Sequence, residues 1–292
     1  FFKQKTAYEI STRDWSSDVC SSDLMKTLVE SWSVMPYEER DAASNLAETE
    51  RLLAAVAAGE VGPVLRWYGY LGRSVIIGVG QAVGTLANDL EARGITVVRR
   101  LSGGAAVLAD HEMLALDAVV PASSVLAGVD VVASYRWFGD AWAGAIAAIG
   151  GRPARDGVRV ATVAEARRDR DSLRGAPHGV DTQVREAACF ATLSPFEVVW
   201  QPSGAAPRKL VGLSQVRRRG VAVFQAGAHW RFDATAMASL LVGSEDVIEN
   251  ARTLRRHVAD LAEAGLGPEF RNALQTAFET EVSHAFTRAR TA

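Results

Sequence analysis

Short apolar runs bounded by glycine, proline or serine recur along the chain and predict a protein rich in short strands. Clear examples are PVLRWYG, SVIIGVG, FEVVWQ and GVAVFQAG. The predicted strands are 63–69, 74–80, 95–100, 105–109, 113–121, 196–201, 209–215 and 220–227.

Helical spacing of apolar residues predicts helices between these strands and at the C-terminus. The predicted helices are 41–58, 85–94, 133–150 and most of the chain from 234 onward. Gly94 is expected to end the second helix in the left-handed conformation. The polar stretch 151–182, rich in arginine and glycine, predicts a solvated connection.

Composition describes an ordinary globular protein of 292 residues, 48% of them hydrophobic and 23% charged. A net charge of −2 gives no support for nucleic-acid binding, and no apolar run is long enough to span a bilayer. Only Cys20 and Cys189 are present, which argues against a disulfide framework and favours a reducing, cytoplasmic compartment. The five histidines lack metal-ligand spacing, so the sequence predicts no metal site.

The first 24 residues differ from the rest of the chain. They lack apolar periodicity and the plan of a signal peptide, and they end just before Met25. This segment resembles a translated sequencing-adapter read, so we expect 1–24 to be an extraneous disordered tail that packs against nothing.

Two segments about a hundred residues apart combine the groups that an anionic ligand needs. In VRRLSGGAAV (98–107), consecutive glycines allow positive φ and convergence of backbone N–H groups, and arginines add charge. In RKLVGLSQ (208–215), a lysine opens a strand and Gly212 permits close backbone approach. A hairpin turn and an exposed lysine would give the same pattern, and spacing alone cannot show whether the two segments meet.

The segment 74–100 offers a competing interpretation. It reads as a strand, a G-x-G-x-x-x-G turn, a helix and a strand ending in two arginines, close to the βαβ unit of an NADP-dependent enzyme. The third glycine is displaced by one position, and two strands follow directly where further strand–helix alternation is needed. A lone match of this kind is weak.

The glycine turn and the lysine strand together resemble the lipoate–protein ligase family of the biotin/lipoate ligase superfamily. The matching stretches are RRLSGGAAVLAD and CFATLSPFEVVWQPSGAAPRKLVGLSQVRRRGVAVFQAG. The resemblance runs through most of 40–290. It implies an α+β, class II synthetase-like fold with a mixed, largely antiparallel sheet flanked by helices. A catalytic domain at 25–240, with C-terminal helices at 241–292 packed on it, is expected.

Residue by residue, the resemblance implies roles for the two segments. The acyl chain and adenylate are held by Arg100, Ser102, Gly103, Gly104, Ala105 and Ala106. Lys209 matches the family's essential lysine, Glu197 an acidic position before it, and Gly212 the glycine of the lysine strand. We expect the backbone at 102–106 and Lys209 to face one pocket, with apolar walls from 74–79 and 114–120.

The implied reaction is activation of lipoate or octanoate by ATP with Mg²⁺. The acyl group then passes to a lysine of a lipoyl carrier domain, either an E2 subunit of a 2-oxoacid dehydrogenase or the glycine-cleavage H protein. Two departures weaken the match to lipoate itself. Ala109 stands where the family usually has histidine, and Ala226 replaces the histidine of its later H-H-G or Q-H-G motif.

Cys189 supports an alternative within the same family. The tripeptide Ala188-Cys189-Phe190 resembles a branch of octanoyltransferases, which take octanoyl from acyl-carrier protein on a cysteine without ATP. A thiolate beside a lysine suits that chemistry, although a lone cysteine is more often a buried apolar residue. An inactive acyl- or nucleotide-binding relative is a third interpretation.

Overall fold

A seven-stranded sheet with the order β1-β2-β6-β10-β9-β8-β7 organises the chain in the computed structural model, which describes residues 32–176, 179–242 and 246–291. The β1–β2 pair is parallel and the other neighbouring pairs are antiparallel. Its strands are β1 (Ser33–Arg40), β2 (Val64–Tyr70), β6 (Met113–Pro121), β7 (Val158–Val160), β8 (Val198–Trp200), β9 (Arg208–Arg218) and β10 (Val221–His229).

A second, three-stranded sheet with the order β4-β3-β5 carries the glycine turn. Its strands are β3 (Ser74–Ile77), β4 (Thr96–Arg99) and β5 (Val107–Ala109). The β3–β4 pair is parallel and the β3–β5 pair is antiparallel.

Helices flank the sheets. The α-helices of the described ranges are α1 (Ala42–Ala57), α2 (Tyr135–Ile149), α3 (Gly151–Gly157), α4 (Val163–Gly175), α5 (Val180–Ala187), α6 (Ala234–Ala238), α7 (Val247–His257) and α8 (Arg271–Thr291). The predicted fold class, a mixed and largely antiparallel α+β architecture with a helical C-terminus, is therefore confirmed.

Aromatic side chains fill the layer between the large sheet and helices α2 and α8. The Trp67 ring lies edge-on to Trp142 and Phe278, with centroids 5.1 and 5.4 Å apart. Phe278 belongs to α8 and is fully buried. Edge-to-face pairs stabilise such a layer beyond the area that they bury. The C-terminal helix is thus part of the core of the unit formed by residues 33–292.

Helix α1 covers the opposite side of the sheet. Its Leu52, Leu53 and Val56 pack against Val64 and Val119, as the apolar spacing predicts. The Asp41 side chain caps the first turn by accepting a hydrogen bond from the Ser44 N–H. One end of α1 therefore packs on the sheet, and Leu46 remains to line the cavity described below.

The predicted helix at 85–94 is wrong. Residues 83–85 form a 3₁₀ turn and the rest of the segment is irregular, although Gly94 has the expected positive φ of 68°. The Ala87 N–H donates to the Leu240 carbonyl, and Leu86 is buried. A hydrogen bond to a residue distant in the sequence here takes the place of the hydrogen bonds within a helix. No α-helix forms within 78–95, so the dinucleotide interpretation lacks the helix N-terminus that it requires.

The stretch 151–182 is also more ordered than predicted. It contains α3, β7 and the whole of α4, and β7 pairs with β8. Thr162 and Glu165 form a reciprocal capping box at the start of α4. The T-x-x-E signature of that cap is present in the sequence and identifies the helix start. The predicted tail 1–24 lies outside the described residues.

Candidate active site

The Arg100 side chain stabilises the glycine turn by donating hydrogen bonds to its carbonyl groups. The Arg100 backbone N–H continues the β3–β4 pairing by donating to Ile77, and the guanidinium donates to the carbonyls of Gly103 and Ala105 at 2.8 and 3.0 Å. Gly104 has φ +98°, and a Cβ there would lie 2.6 Å from the Arg100 Nη2 atom. The positive φ favours glycine at this position, and a Cβ there would also make the Arg100 guanidinium shift.

Arg99 is also used within the loop. Its Nη1 atom donates to the carbonyls of Gly78 and Gln81, each at 2.8 Å. Gly78 in turn lies against the Gly104 carbonyl so closely that a Cβ at position 78 would collide with it. Ser102 is buried and its carbonyl accepts from Val79. The arginines that the sequence offers to an anion therefore hold the two loops together.

Backbone hydrogen bonds tie the glycine turn to the segment that carries Cys189. The Ala106 N–H donates to the Ala187 carbonyl, and the Cys189 N–H donates to the Ala106 carbonyl, both at 2.9 Å. Residues 189–191 form a 3₁₀ turn at the end of α5. The cysteine is thus fixed beside the turn although 83 positions separate Ala106 from Cys189.

A register shift between β8 and β9 determines on which face of the sheet the Lys209 side chain lies. Val198 pairs with Val211, but Val199 pairs with Lys209, so Leu210 has no partner across this pair. Such a bulge reverses the side-chain alternation at one point. Lys209 consequently lies on the same face as Gly212, where regular alternation would place it on the opposite face.

Lys209 and Glu197 form a buried ion pair. The Lys209 Nζ atom lies 2.7 Å from Glu197 Oε2, and both side chains are 2% exposed. Burial raises the pKa of Glu197 above its ordinary value, while the ammonium and the backbone N–H groups of Ser194 and Leu213 act in the opposite direction. Lys209 also donates to the Cys189 carbonyl at 2.9 Å. The lysine therefore joins the acidic residue to the cysteine segment.

The Cys189 thiol lies where these groups converge. Arg100 Nη2 is 3.8 Å from the sulfur, and a Cβ at position 104 would lie 3.3 Å from it. The thiol is half-buried and makes no disulfide. The guanidinium supplies positive charge and the nearby backbone holds the sulfur in place, an arrangement that suits a nucleophilic thiolate.

An apolar cavity opens beside the sulfur. Arg100, Cys189, Phe190 and Gly212 line it together with Leu46, Tyr68, Tyr70, Ile76, Val107, Met113, Ala115, Leu213, Ser214, Gln225, Ala226 and Gly227. Ile76 and Ala115 lie in the ranges from which walls were predicted. Apolar walls with a few polar groups at one point are typical of a small-molecule site.

The prediction that the glycine turn and Lys209 face one pocket is wrong as stated. Gly103, Gly104 and Ala105 line a second cavity, which they share with Glu186, and Lys209 lines a third with His257. These two cavities adjoin, since Asp169, Thr192 and Leu193 line both. The turn and the lysine meet through the Cys189 segment, which both of them contact.

The sequence of residues 41–279 matches the family model of the lipoyl protein ligase A/B catalytic domain. The chain belongs to this family. An octanoyltransferase LipM from an Exiguobacterium species is 30% identical over 264 residues, covering 85% of this chain and 88% of the relative. The LipM of Symbiobacterium thermophilum is 33% identical over 199 residues, covering 68% and 64% of the two chains.

Solved structures of this family share the fold. A bipartite lipoate protein ligase from Thermoplasma acidophilum, studied with its E2 lipoyl domain, has a TM-score of 0.57 at 19% identity and covers 85% of this chain and 84% of its own. A lipoate-protein ligase A structure with bound ATP has a TM-score of 0.58 at 19% identity, with the same coverage. At this identity the likeness concerns architecture alone.

The two departures from the lipoyl protein ligase pattern lie in the interior. Ala109 is fully buried at the end of β5, and Ala226 is buried within β10.

Gly212 is close to the Phe190 ring, whose Cζ atom would be 3.3 Å from a Cβ at that position. Phe190 therefore occupies space that the glycine leaves free.

Sequence reasoning missed a polar network beneath the cavity. Asp117 is fully buried, and its carboxylate accepts from Thr49, Tyr68 and Gln225 at 2.6, 3.2 and 3.1 Å. Arg66 lies 3.4 Å from the same carboxylate. A charged residue inside the apolar run MLALDAVV is a signal that could have identified this network.

Within the described ranges, the structure contains no helix that is both long and apolar enough to cross a bilayer. The same ranges bring together no cluster of His, Cys, Asp and Glu side chains of the kind that binds a metal ion.

Proposed function

We propose that this protein transfers a medium-chain acyl group, octanoyl in the first instance, from a thioester donor to a lysine of a carrier protein through Cys189. The carrying observation is the position of the Cys189 sulfur, which lines the apolar cavity and has the Arg100 guanidinium 3.8 Å away. The relatives named octanoyltransferase LipM support the same chemistry.

The reaction has two balanced steps. The Cys189 thiolate attacks the donor's thioester carbonyl, the donor thiolate leaves and takes up a proton, and an acyl-enzyme thioester forms. The neutral amine of the acceptor lysine then attacks that carbonyl. An amide forms, the amine loses a proton, and the Cys189 thiol is regenerated. Both steps start from a thioester, which is already activated for acyl transfer, so no nucleotide is consumed.

Arg100 and Lys209 have separate tasks in this scheme. Arg100 stabilises negative charge on the attacking and leaving sulfur, as a charge-assisted donor can. Lys209 holds the Cys189 carbonyl through the 2.9 Å hydrogen bond and thereby positions the nucleophile. Glu197 compensates the lysine's charge inside the protein.

The ATP-dependent ligase reaction with Mg²⁺ is the second candidate, favoured by the glycine turn whose Gly103, Gly104 and Ala105 line an open cavity. A phosphate there would meet backbone N–H groups. The cationic side chains argue for the transferase instead. Lys209 is neutralised by Glu197, the Arg99 guanidinium donates to the carbonyls of Gly78 and Gln81, and the Arg100 guanidinium lies beside the Cys189 sulfur, where its charge favours a thiolate.

A lipoyl carrier domain is the proposed acceptor, with E2 subunits and the glycine-cleavage H protein as the first to test. The lipoate protein ligase of Thermoplasma acidophilum, which shares this fold, was studied together with its E2 lipoyl domain, and this supports the choice. The proposed donor is an acyl thioester of a carrier protein.

The test uses the full chain and octanoyl-pantetheine without ATP. Intact mass spectrometry should show one octanoyl group on the protein, released by hydroxylamine, and addition of an apo lipoyl domain should move the group to its lysine. Cys189→Ser should abolish the adduct, whereas the matched control Cys20→Ser should retain it. Carrier acylation that requires octanoate, ATP and Mg²⁺ and survives Cys189→Ser would establish the ligase reaction instead.

A further inference from the structure

An open cleft begins at Cys189 beside the glycine turn. Residues 103–105 and 192–194 belong to its lining. Two of these residues contact the cysteine: a Cβ at position 104 would lie 3.3 Å from the sulfur, and the Thr192 hydroxyl lies 3.5 Å from the Cys189 carbonyl oxygen. The cysteine also lines the apolar cavity. It therefore lies between a cavity that suits an acyl chain and a cleft that suits the rest of a thioester donor.

Three charged side chains of the described residues line the cleft, and one of them is an unpaired cation. Asp169 on α4 is paired, since Arg185 lies 2.6 Å from its carboxylate and the Leu193 N–H donates to it at 2.9 Å. Glu186 on α5 has the wrong sign for an anionic ligand. Arg170 is exposed, and its side chain forms no ion pair or hydrogen bond within the described ranges. It is therefore the cationic group that the cleft offers to an anion.

Neighbouring arginines on α4 add to the charge of Arg170. Arg167 lies three positions before it and Arg174 four positions after it, so the three share one face of the helix. Neither neighbour forms a side-chain ion pair or hydrogen bond with another described residue. Of the three carboxylates on α4, two are paired with arginines elsewhere in the chain, which leaves Asp171. Although the whole chain has a net charge of −2, this face carries an excess of positive charge.

A thioester donor with a phosphorylated pantetheine arm brings an anionic group to the cleft. About thirteen bonds separate the thioester sulfur from the phosphorus, so the extended arm is roughly 16 Å long. Asp169 is hydrogen-bonded to Leu193, and at most about 14 Å of chain separates Leu193 from Cys189. Arg170 follows Asp169 in the helix. The path from the cysteine to Arg170 is therefore comparable with the length of the arm.

We infer that Arg170 binds the phosphate of the donor's phosphopantetheine arm while the thioester reaches Cys189. This inference rests on the proposed acyl transfer at Cys189 and names the group by which the donor is recognised. Arg167 and Arg174 raise the positive potential of the same face and so attract the phosphate. Carrier-protein thioesters and coenzyme A thioesters contain the same phosphorylated arm, and the site fits the arm of either.

The experiment compares single-turnover acylation of Cys189 by octanoyl-pantetheine and octanoyl-phosphopantetheine at low salt and subsaturating donor. The phosphorylated donor should react about tenfold faster, since a charge-assisted contact forms with its phosphate. Arg170→Gln should lower this ratio to near one. Arg168→Gln is the matched control: Arg168 lies on the same helix but lines the neighbouring cavity, so its loss should leave most of the ratio in place.

A ratio near one in the unmodified protein would overturn the inference, as would an equal decrease in Arg170→Gln and Arg168→Gln. Octanoyl-coenzyme A and an octanoyl carrier protein are assayed with the same variants to identify the source of the arm. The donor whose rate falls in Arg170→Gln is the one that uses the site. A decrease with neither donor would contradict the inference.

A binding measurement separates this inference from the proposed function. If no thioester acylates Cys189, the proposed function fails by itself. The S-octyl thioethers of pantetheine and phosphopantetheine cannot transfer an acyl group, yet isothermal titration calorimetry still gives their Kd values. Tighter binding of the phosphorylated thioether that is lost in Arg170→Gln would support the phosphate site independently. Equal Kd values would overturn it, as would an Arg170→Gln effect on the binding of ATP with Mg²⁺ alone.

Discussion

Lys209 and Glu197 form an ion pair whose members come from β9 and the turn before β8 and are almost wholly removed from solvent. The pair lies directly behind the cysteine segment, because the same ammonium donates to the Cys189 carbonyl. Phe196, next to Glu197, has φ +66°, an uncommon conformation for a phenylalanine. The backbone is thus held in a costly shape where the pair is formed.

Removing the lysine should affect both stability and turnover. Lys209→Met leaves the Glu197 carboxylate buried without its partner, which we expect to cost about 3–5 kcal/mol in the free energy of unfolding. Turnover should fall by roughly 10²-fold because the Cys189 carbonyl loses its donor. Urea denaturation and single-turnover acylation measure the two effects. The double variant Lys209→Met/Glu197→Gln should regain stability but not turnover, and recovery of both would make the pair purely structural.

Replacing Arg100 should slow the chemistry of the Cys189 sulfur. Arg100→Gln removes the positive charge 3.8 Å from the sulfur and retains some hydrogen bonding to the loop. We expect alkylation of Cys189 by iodoacetamide at neutral pH to slow on the order of tenfold, since a charge-assisted contact is lost. Arg93→Gln, on the surface beside Ser239, is the control and should have no effect. Equal rates in all three proteins would contradict a role for the guanidinium.

Gly104→Ala should disrupt the turn around the thiol. The φ of +98° is strained for alanine, and its Cβ would lie 2.6 Å from Arg100 Nη2 and 3.3 Å from the Cys189 sulfur. A stability loss of about 1–3 kcal/mol and a larger proportional loss of acylation rate are expected. The matched variant Gly84→Ala, where no atom lies within 4 Å of the new Cβ, should change neither. Thermal melts and acyl-enzyme formation decide between the two outcomes.

Acidification should destabilise the protein through His229. Burial lowers the pKa of His229 to about 4, whereas the unfolded chain has a value near 6.5. Above pH 6.5 both states are neutral and the residue has no effect on stability. Between pH 6.5 and about 4 only the unfolded chain takes up the proton, so stability falls, by roughly 2 kcal/mol at pH 5.

The check on His229 is a comparison of unfolding free energies at pH 7.5 and pH 5. The ring packs between Phe190 and Phe232, with centroids 5.0 and 5.2 Å away, so His229→Leu retains an apolar side chain there. The difference between the two pH values should shrink by about 2 kcal/mol in this variant. An unchanged difference would place the pH dependence on other groups, such as His257, whose pKa burial also lowers.

The C-terminal helix should be required for the stability of the catalytic unit. Phe278 of α8 is fully buried against Trp67 and Phe138. Phe278→Ala should cost about 3–5 kcal/mol, the usual range for a large aromatic core residue. Phe286→Ala, on a less buried part of the same helix, should cost much less. Comparable small losses in both variants would show that α8 is a separable appendage.

The sequence alone determined the local elements and the chemistry that they carry. The leucine spacing of α1, the apolar runs of β6 and β10, the glycine turn at 102–106 and the identities of Lys209 and Cys189 are all visible in the chain. These features depend on neighbours a few positions apart, where periodicity and turn preference are informative. The fold class and the family were predicted from the resemblance of the glycine turn and the lysine strand to the lipoate–protein ligase family.

The tertiary structure decided how those parts are used. Regular alternation along β9 would place the side chains of Lys209 and Gly212 on opposite faces of the sheet. They share a face because of the bulge at Leu210, which has no partner on β8. The ATP-dependent reaction was favoured because the arginine-rich glycine loop could hold a phosphate, yet Arg99 and Arg100 both donate to backbone carbonyls. Register and side-chain partners are set by segments far apart in the chain, and their pairing energy is not encoded in any local pattern.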